Sequence, residues 1–255
     1  MRMVGSLAAI AATAGCGDNV TCDLDDLLTV VVYTRENQWV HPSNPVARDA
    51  LAAVAEREHW QLTITDDPAA LTTELLARTD VVVFSLTSGP VLDLDARARL
   101  ETFFRADGGF VGTHSASSTE GDWAFYREMV PVTFFSHPVT FFEARIDLLA
   151  PESPLLAGLP SPYLKRDEFY TFNERPEALG LELLYAVDES SNAEYPDDIK
   201  VGFHPLAFTT EKTGNRVFYT ALGHTPESYA EEPFMIVLTR AIAWAGERHH
   251  ATRCE

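Results

Sequence analysis

Leu27 to Tyr33 (LLTVVVY) is an unbroken apolar, β-branched run, and Asp80 to Leu86 (DVVVFSL) is another. Runs of this kind suit strands buried on both faces. Between them the period changes. Val46, Ala50 and Val54 recur at helical spacing, which predicts a helix from Ser43 to Glu58 with Ser43 or Asn44 as its cap and Pro45 in its first turn. Gln61 to Thr65 reads as a second strand, and Asp66-Asp67-Pro68 opens a further helix to about Ala77. Asp93 to Ala106 is amphipathic, with Leu94, Ala98 and Phe104 among its apolar positions, and Gly109 to Thr113 is a fourth strand. Strands and helices that alternate in this way predict an α/β fold with a doubly wound, mainly parallel sheet.

The second half is less regular. Thr140 to Asp147, Glu168 to Phe172, Leu181 to Val187, Pro205 to Thr210 and Arg216 to Ala221 read as strands with few helices between them, so an antiparallel extension is expected. Phe234 to Ala245 is a closing helix with Phe234, Val237, Leu238, Ala241 and Ala245 on one stripe. No stretch reads as a linker, which leaves a single domain over 27–248 and a tail over 249–255. His59, His249 and His250 fall at helix-end or tail positions and are expected to face solvent.

The first residues have a different character. Arg2 precedes an apolar stretch from Val4 to Ala14, too short to span a bilayer, which ends in Thr13-Ala14-Gly15-Cys16. Small residues before a cysteine are the pattern of a bacterial lipoprotein cleavage box. Residues 1–16 are therefore expected to be an export signal, with Cys16 the lipidated residue and 17–26 a polar tether. Cys22 and Cys254 then remain as a pair near opposite ends of the domain, and a disulfide between them is expected because termini often lie close in space. The reading is of an exported protein whose only membrane contact is its lipid anchor. The formal net charge of −19 excludes a nucleic-acid partner on electrostatic grounds.

The candidate chemistry is carried by histidines. His114 ends the fourth strand within Asp107-Gly-Gly-Phe-Val-Gly-Thr-His-Ser-Ala116, at the strand edge where open α/β sheets bind ligands. His41 lies in the loop after the first strand, and His224 follows Gly223 just after another strand. His137 and His204 each precede a proline. Such a set could bind a divalent metal such as zinc or transfer protons near neutral pH. Asp167 and Glu168, beside an aromatic strand, could supply a base or a ligand, Trp39 and Tyr229 loop-borne aromatic walls for a sugar, and Arg216 a partner for a carboxylate. Phosphate-loop, dinucleotide and Gly-x-Ser-x-Gly hydrolase motifs are absent, and no cysteine occupies a strand-to-helix elbow.

Four segments together resemble the trehalose-utilisation, or ThuA-like, family over roughly residues 28–246. They are Gly108 to Ala116, Phe135-Ser-His-Pro138, Asp167-Glu-Phe-Tyr170, and Gly214 to Thr225 followed by Ala243-Trp-Ala245. The resemblance implies a flavodoxin-like sheet of the class I glutamine-amidotransferase type. His114 stands where that type has its nucleophilic cysteine, so glutaminase activity is not expected. It also implies a role in bacterial sugar catabolism, with oxidised (3-keto) glucosides and disaccharides as substrates and His114, His137, Glu168, His204 and His224 as site residues. The chain departs from the family at His204-Pro-Leu-Ala-Phe208, where a tryptophan is common. The expected function is a carbohydrate-active lyase or hydrolase in which His114, Glu168 and His224 are catalytic. His41, Trp39, Asp167, Tyr170 and Arg216 are expected to bind substrate, and His114, His137, His204 and His224 to hold any metal. A non-catalytic carbohydrate-binding lipoprotein and a metal-dependent hydrolase of another substrate are the alternatives.

Overall fold

The computed structural model describes residues 27–253. Cys16, Cys22, Cys254, the signal segment and the tether lie outside the described residues.

Five parallel strands form one half of a nine-stranded sheet. They are β1 (Thr29–Tyr33), β2 (Gln61–Thr65), β3 (Val81–Ser85), β4 (Gly109–Thr113) and, late in the chain, β11 (Val217–Thr220). Their spatial order is β2-β1-β3-β4-β11, the 2-1-3-4-5 order of flavodoxin-like doubly wound sheets. The chain moves outward from β1 to β2 and then in the opposite direction through β3 and β4. Crossovers of one hand therefore put the first helix, α1 (Ser43–Arg57), and α3 (Leu94–Arg105) on opposite faces. Val30–Tyr33 and Val81–Phe84 are buried throughout, each such side chain contributing roughly 1.5–3 kcal/mol of transfer free energy.

The antiparallel extension adds β10 (His204–Thr210), β9 (Glu182–Asp188), β6 (Phe142–Leu148) and β7 (Tyr163–Asp167) beyond β11. A separate two-stranded sheet pairs β5 (Phe134–Ser136) with β8 (Thr171–Phe172). The predicted strand from Glu168 to Phe172 is thus split. The chain leaves the large sheet after Asp167 and enters the small one at Thr171. Glu168, Phe169 and Tyr170 form the crossing between them, which turns their side chains inward and buries all three.

Three other expectations change. Pro42, not Ser43 or Asn44, is the cap of α1; the Asn44 amide instead donates to the Thr34 carbonyl and to Glu36, at 3.0 and 2.8 Å. The predicted helix to Ala77 breaks into a turn at Pro68–Ala70, capped by Asp67, and a short α2 (Thr73–Leu76) capped by Thr72, because two competing caps fall within one stretch. The last helix, α5 (Glu232–Arg253), runs through the expected tail. His249 and His250 are consequently only partly exposed, and both approach the buried carboxylate of Asp80, at 3.5 and 3.3 Å.

The amino-terminal half of β4 meets α5 so closely that a Cβ on Gly109 would lie 2.3 Å from the Ala245 carbonyl oxygen. That contact requires glycine. A short helix, α4 (Ala124–Met129), lays Tyr126 against Phe84 of β3 and Phe110 of β4.

Candidate functional site

β4 ends on His114, which adopts a left-handed backbone conformation with φ of 48°. A non-glycine residue in that region is uncommon and tends to mark a functional turn. The turn drives the imidazole into the interior, with no exposed surface. Its Nδ1 donates to the Ala221 carbonyl at 2.8 Å. A carbonyl can only accept, so the hydrogen sits on Nδ1 and the lone pair on Nε2. Two groups meet that lone pair, the Tyr170 hydroxyl at 2.8 Å and Nδ1 of His224 at 3.1 Å, and Oε2 of Glu168 lies 3.3 Å from the same nitrogen. Burial, opposed by the neighbouring Glu168 carboxylate and reinforced by His41, lowers the His114 pKa and keeps the ring neutral.

Glu168 gathers imidazoles. Its Oε2 reaches His224 Nδ1 at 3.1 Å as well as His114, and its Oε1 reaches His137 Nδ1 at 3.1 Å. Burial pushes this carboxyl upward, but the imidazoles of His114 and His224 beside it outweigh burial and hold the group ionised, well below the usual carboxylate range. Burial and the Glu168 charge together raise the Tyr170 pKa well above its ordinary value, so the phenol keeps its proton.

His224 follows β11 at the same edge. Gly223 before it has φ of 112°, open to glycine and strained for other residues. Asp167 fixes this turn by accepting the amide hydrogens of Gly223 and His224 at 2.9 and 3.0 Å. His41, in the loop after β1, is held by Glu36, whose Oε1 lies 2.6 Å from Nδ1 and 2.8 Å from the backbone amide nitrogen. The rings of His41, His114 and His224 stand nearly edge to face, 5.0–5.4 Å apart. Each offers one nitrogen, and the three nitrogens lie within 4.8 Å of one another. Among the described residues this is the group whose donors could hold a metal ion.

His137 sits further out, with 33 % of its side chain exposed. Its Nδ1 is engaged by the Pro138 carbonyl at 2.7 Å and by Glu168, which leaves Nε2 for a ligand. A cleft of about 330 Å³ bordered by Pro42, Phe141, Arg166, His224 and Glu227 opens on one side of the cluster. A larger one, about 770 Å³, is lined by Glu36 and His41 and carries Arg35 and Arg48. Trp39, Phe135 and Phe141 are exposed apolar residues one to three positions from site residues or against them, Phe141 lying 4.6 Å from the His224 ring.

The structure therefore brings together His41, His114, His137, Glu168, Tyr170 and His224. It places the remaining expected residues elsewhere. His204 is buried with both nitrogens engaged, Nε2 by the Tyr170 carbonyl at 2.8 Å and Nδ1 by Glu189 and the Tyr195 hydroxyl at 2.9 and 3.0 Å. It braces the segment carrying Tyr170 and has no nitrogen left for a metal. Asp167 is likewise buried and spends its oxygens on the backbone, on Ser228 and on Lys165. Arg216 precedes β11, at the opposite edge from His224, and pairs with Glu247 and the Trp244 carbonyl. Trp39 is exposed, its backbone held by Ser88. Glu36 and Glu189 went unnoticed in the sequence; the one local signal was an acidic residue in the same loop as His41.

The site lies at the carboxyl ends of β1 and β4 with His224 beyond β11, the edge at which open α/β sheets bind ligands. Similarity to other proteins agrees with this architecture. A ThuA-like protein from Bacteroides uniformis is 18 % identical and superposes with a TM-score of 0.74 over 92 % of this chain and 95 % of its own. A ThuA-like protein from Parabacteroides merdae is also 18 % identical, with a TM-score of 0.66 over 86 % of this chain and 90 % of its own. The β-galactosidase of Bacillus circulans sp. alkalophilus shares the fold over 31 % of its length and 86 % of this chain, at 13 % identity and a TM-score of 0.54. No curated protein matches the sequence. The ThuA family model, described as trehalose utilisation, matches residues 29–245, and the chain belongs to that family.

Proposed function

We propose that this protein is an exported enzyme of sugar catabolism that eliminates the glycosidic oxygen of a 3-keto-glucoside by proton transfer through His137 and Glu168. The observation that carries the reading is the pairing of His137 Nδ1 with Glu168 Oε1 at 3.1 Å at a partly exposed position. An ionised carboxylate behind Nδ1 orients an imidazole and holds the charge it gains, leaving Nε2 as the base. The sugar class follows from the family's description as trehalose utilisation and from the flat, exposed Phe141 ring that borders the cleft beside His224.

The carbonyl at C3 acidifies the C2–H bond. His137 Nε2 takes that proton, and the bonding pair moves toward C3 to form an enolate. The enolate pair then returns, a C1–C2 double bond forms, and the C1–O bond breaks. The departing oxygen takes the proton back from the His137 imidazolium. The products are an enone and a free alcohol, with no oxidant or reductant consumed. Charge on the enolate oxygen needs an electropositive partner, which the partly exposed His224 beside Glu168 can supply.

His114, with no exposed surface, supports the pocket from within by accepting from Tyr170. The export component rests on Arg2, the apolar stretch to Ala14 and Cys16. Turnover of a 3-keto-glucoside by the purified protein tests the reading. Release of the alcohol is expected to fall roughly 10²–10⁴-fold in His137→Ala. Sugar binding without turnover would instead favour a carbohydrate-binding protein, the reading to which the exposed Trp39, Phe135 and Phe141 otherwise lend themselves.

A further inference from the structure

We infer that His41, His114 and His224 bind one divalent transition-metal ion of the zinc class, with Glu36 as the positioning residue behind His41. The inference deepens the reading of the same pocket and rests on it for the ion's use. Its readout is bound metal, so the two can fail separately.

The donor geometry carries the argument. Two nitrogens bound to one tetrahedral zinc at about 2.05 Å lie about 3.3 Å apart. His114 Nε2 and His224 Nδ1 are 3.1 Å apart, and all three donor atoms fall within 4.8 Å, a separation that small side-chain rotations close. Metal-binding imidazoles commonly have their other nitrogen fixed by a carboxylate or a carbonyl, which selects the tautomer and the ring orientation. Both devices are present here. Glu36 Oε1 holds His41 Nδ1 at 2.6 Å and the Ala221 carbonyl holds His114 Nδ1 at 2.8 Å. Glu36 is itself fixed through Oε2 by the Asn44 amide at 2.8 Å.

The surroundings suit a dication. Oε2 of Glu168 lies 3.1 and 3.3 Å from two of the donor nitrogens and brings a negative charge to the spot. Its other oxygen holds His137, so one carboxylate would link the ion to the base. The Tyr170 hydroxyl, which now donates to His114 Nε2, has Glu168 as a second acceptor and is not stranded when that nitrogen is occupied. Three imidazoles and a carboxylate favour zinc, cobalt, nickel or copper over magnesium or calcium, which prefer oxygen donors. An ion here would polarise the sugar's C3 oxygen and take up the charge of the enolate.

The test uses the full chain without an affinity tag, stripped by chelator, dialysed against zinc ions and desalted before elemental analysis. Wild type and His137→Ala are expected to retain one zinc per chain that His41→Ala and His224→Ala lose. His224→Ala is the variant less prone to folding failure, since that side chain is partly exposed, and unchanged circular dichroism of the metal-free variants confirms that the loss is of ligands. Glu36→Gln is expected to weaken zinc binding roughly 10–100-fold with the metal-free melting temperature little changed, a pattern that a purely structural role does not give. Retention of wild-type zinc by both His41→Ala and His224→Ala, or no zinc retained by wild type, overturns the inference. Zinc bound as expected without turnover of any keto-sugar supports the metal site and overturns the proton-transfer reading.

Discussion

Asp167 accepts the backbone amide hydrogens of both Gly223 and His224, at 2.9 and 3.0 Å, so a carboxylate at the end of one antiparallel strand sets the turn that presents an imidazole after a parallel one. The same side chain also meets Ser228 and the buried ammonium of Lys165. It is the joint between the two halves of the sheet at the site. Asp167→Ala leaves Lys165 with Glu231 as its remaining charged partner, and the expected loss is about 3–5 kcal/mol. Asp167→Asn keeps one accepting oxygen and is expected to cost about 1–3 kcal/mol. Denaturant unfolding of the two variants beside wild type measures both.

Gly109 gives a test of the packing under the site. An alanine there would push its Cβ to 2.3 Å from the Ala245 carbonyl oxygen. Backbone cannot yield as a flexible side chain does, so α5 must shift off β4. Gly109→Ala is expected to cost roughly 1–3 kcal/mol or more and to lower the melting temperature by several degrees, read by calorimetry.

How far the chain announces this arrangement differs between its halves. In the parallel half β4 falls on its predicted residues because burial on both faces leaves a signal in every position, and the edge strand β2 falls on its predicted residues through the alternation of QLTIT, none of which is fully buried. β7 (YLKRD) leaves no such signal. Its inward residues are Lys165 and Asp167, buried only because Ser228 and Glu231 reach them from far along the chain. The site divides in the same way. His114 and His224 could be found because each ends a strand beside small residues or glycine. Arg216 and His224 flank one strand, and a strand's two ends lie at opposite edges of a sheet, so only one of them could join the pocket. His204 looked like a ligand until Glu189, Tyr195 and the Tyr170 carbonyl occupied it, contacts made across strands that no local pattern records.

Glu189 carries a pH dependence. Burial pushes its carboxyl up, but His204 and the amide hydrogens of Val201 and Gly202 outweigh it, and its pKa is lowered on folding. A lowered folded-state pKa stabilises fully above the unfolded value of about 4.3, and that stability is lost as pH falls through the folded value. Wild type is therefore expected to melt above Glu189→Gln near neutral pH. The gap should narrow as the pH drops below about 4. A gap of constant size across a melting-temperature series from neutral to acid would contradict the assignment.

The pairing of Cys22 with Cys254 is a proposal that the neighbouring described residues support. The Thr29 amide donates to Oδ2 of Asp80 at 2.8 Å, and His250 Nδ1 meets the same oxygen at 3.3 Å. One carboxylate thus ties the start of β1 to the end of α5, a few residues from each cysteine. Protein recovered from an oxidising compartment is expected to show neither Cys22 nor Cys254 as a free thiol by mass spectrometry after alkylation. Alkylation of both would remove the disulfide.

Proton removal by the pair of His137 and Glu168 is the central claim, and hydrogen exchange reads it without requiring the glycosidic bond to break. The protein is incubated with a 3-keto-glucoside in deuterated buffer, and deuterium at C2 is followed by NMR. Wild type is expected to exchange C2–H far faster than buffer, while Glu168→Gln and His137→Ala slow the exchange by roughly 10²-fold or more. Exchange at the buffer rate, from a wild-type protein that binds the same sugar, would contradict the account.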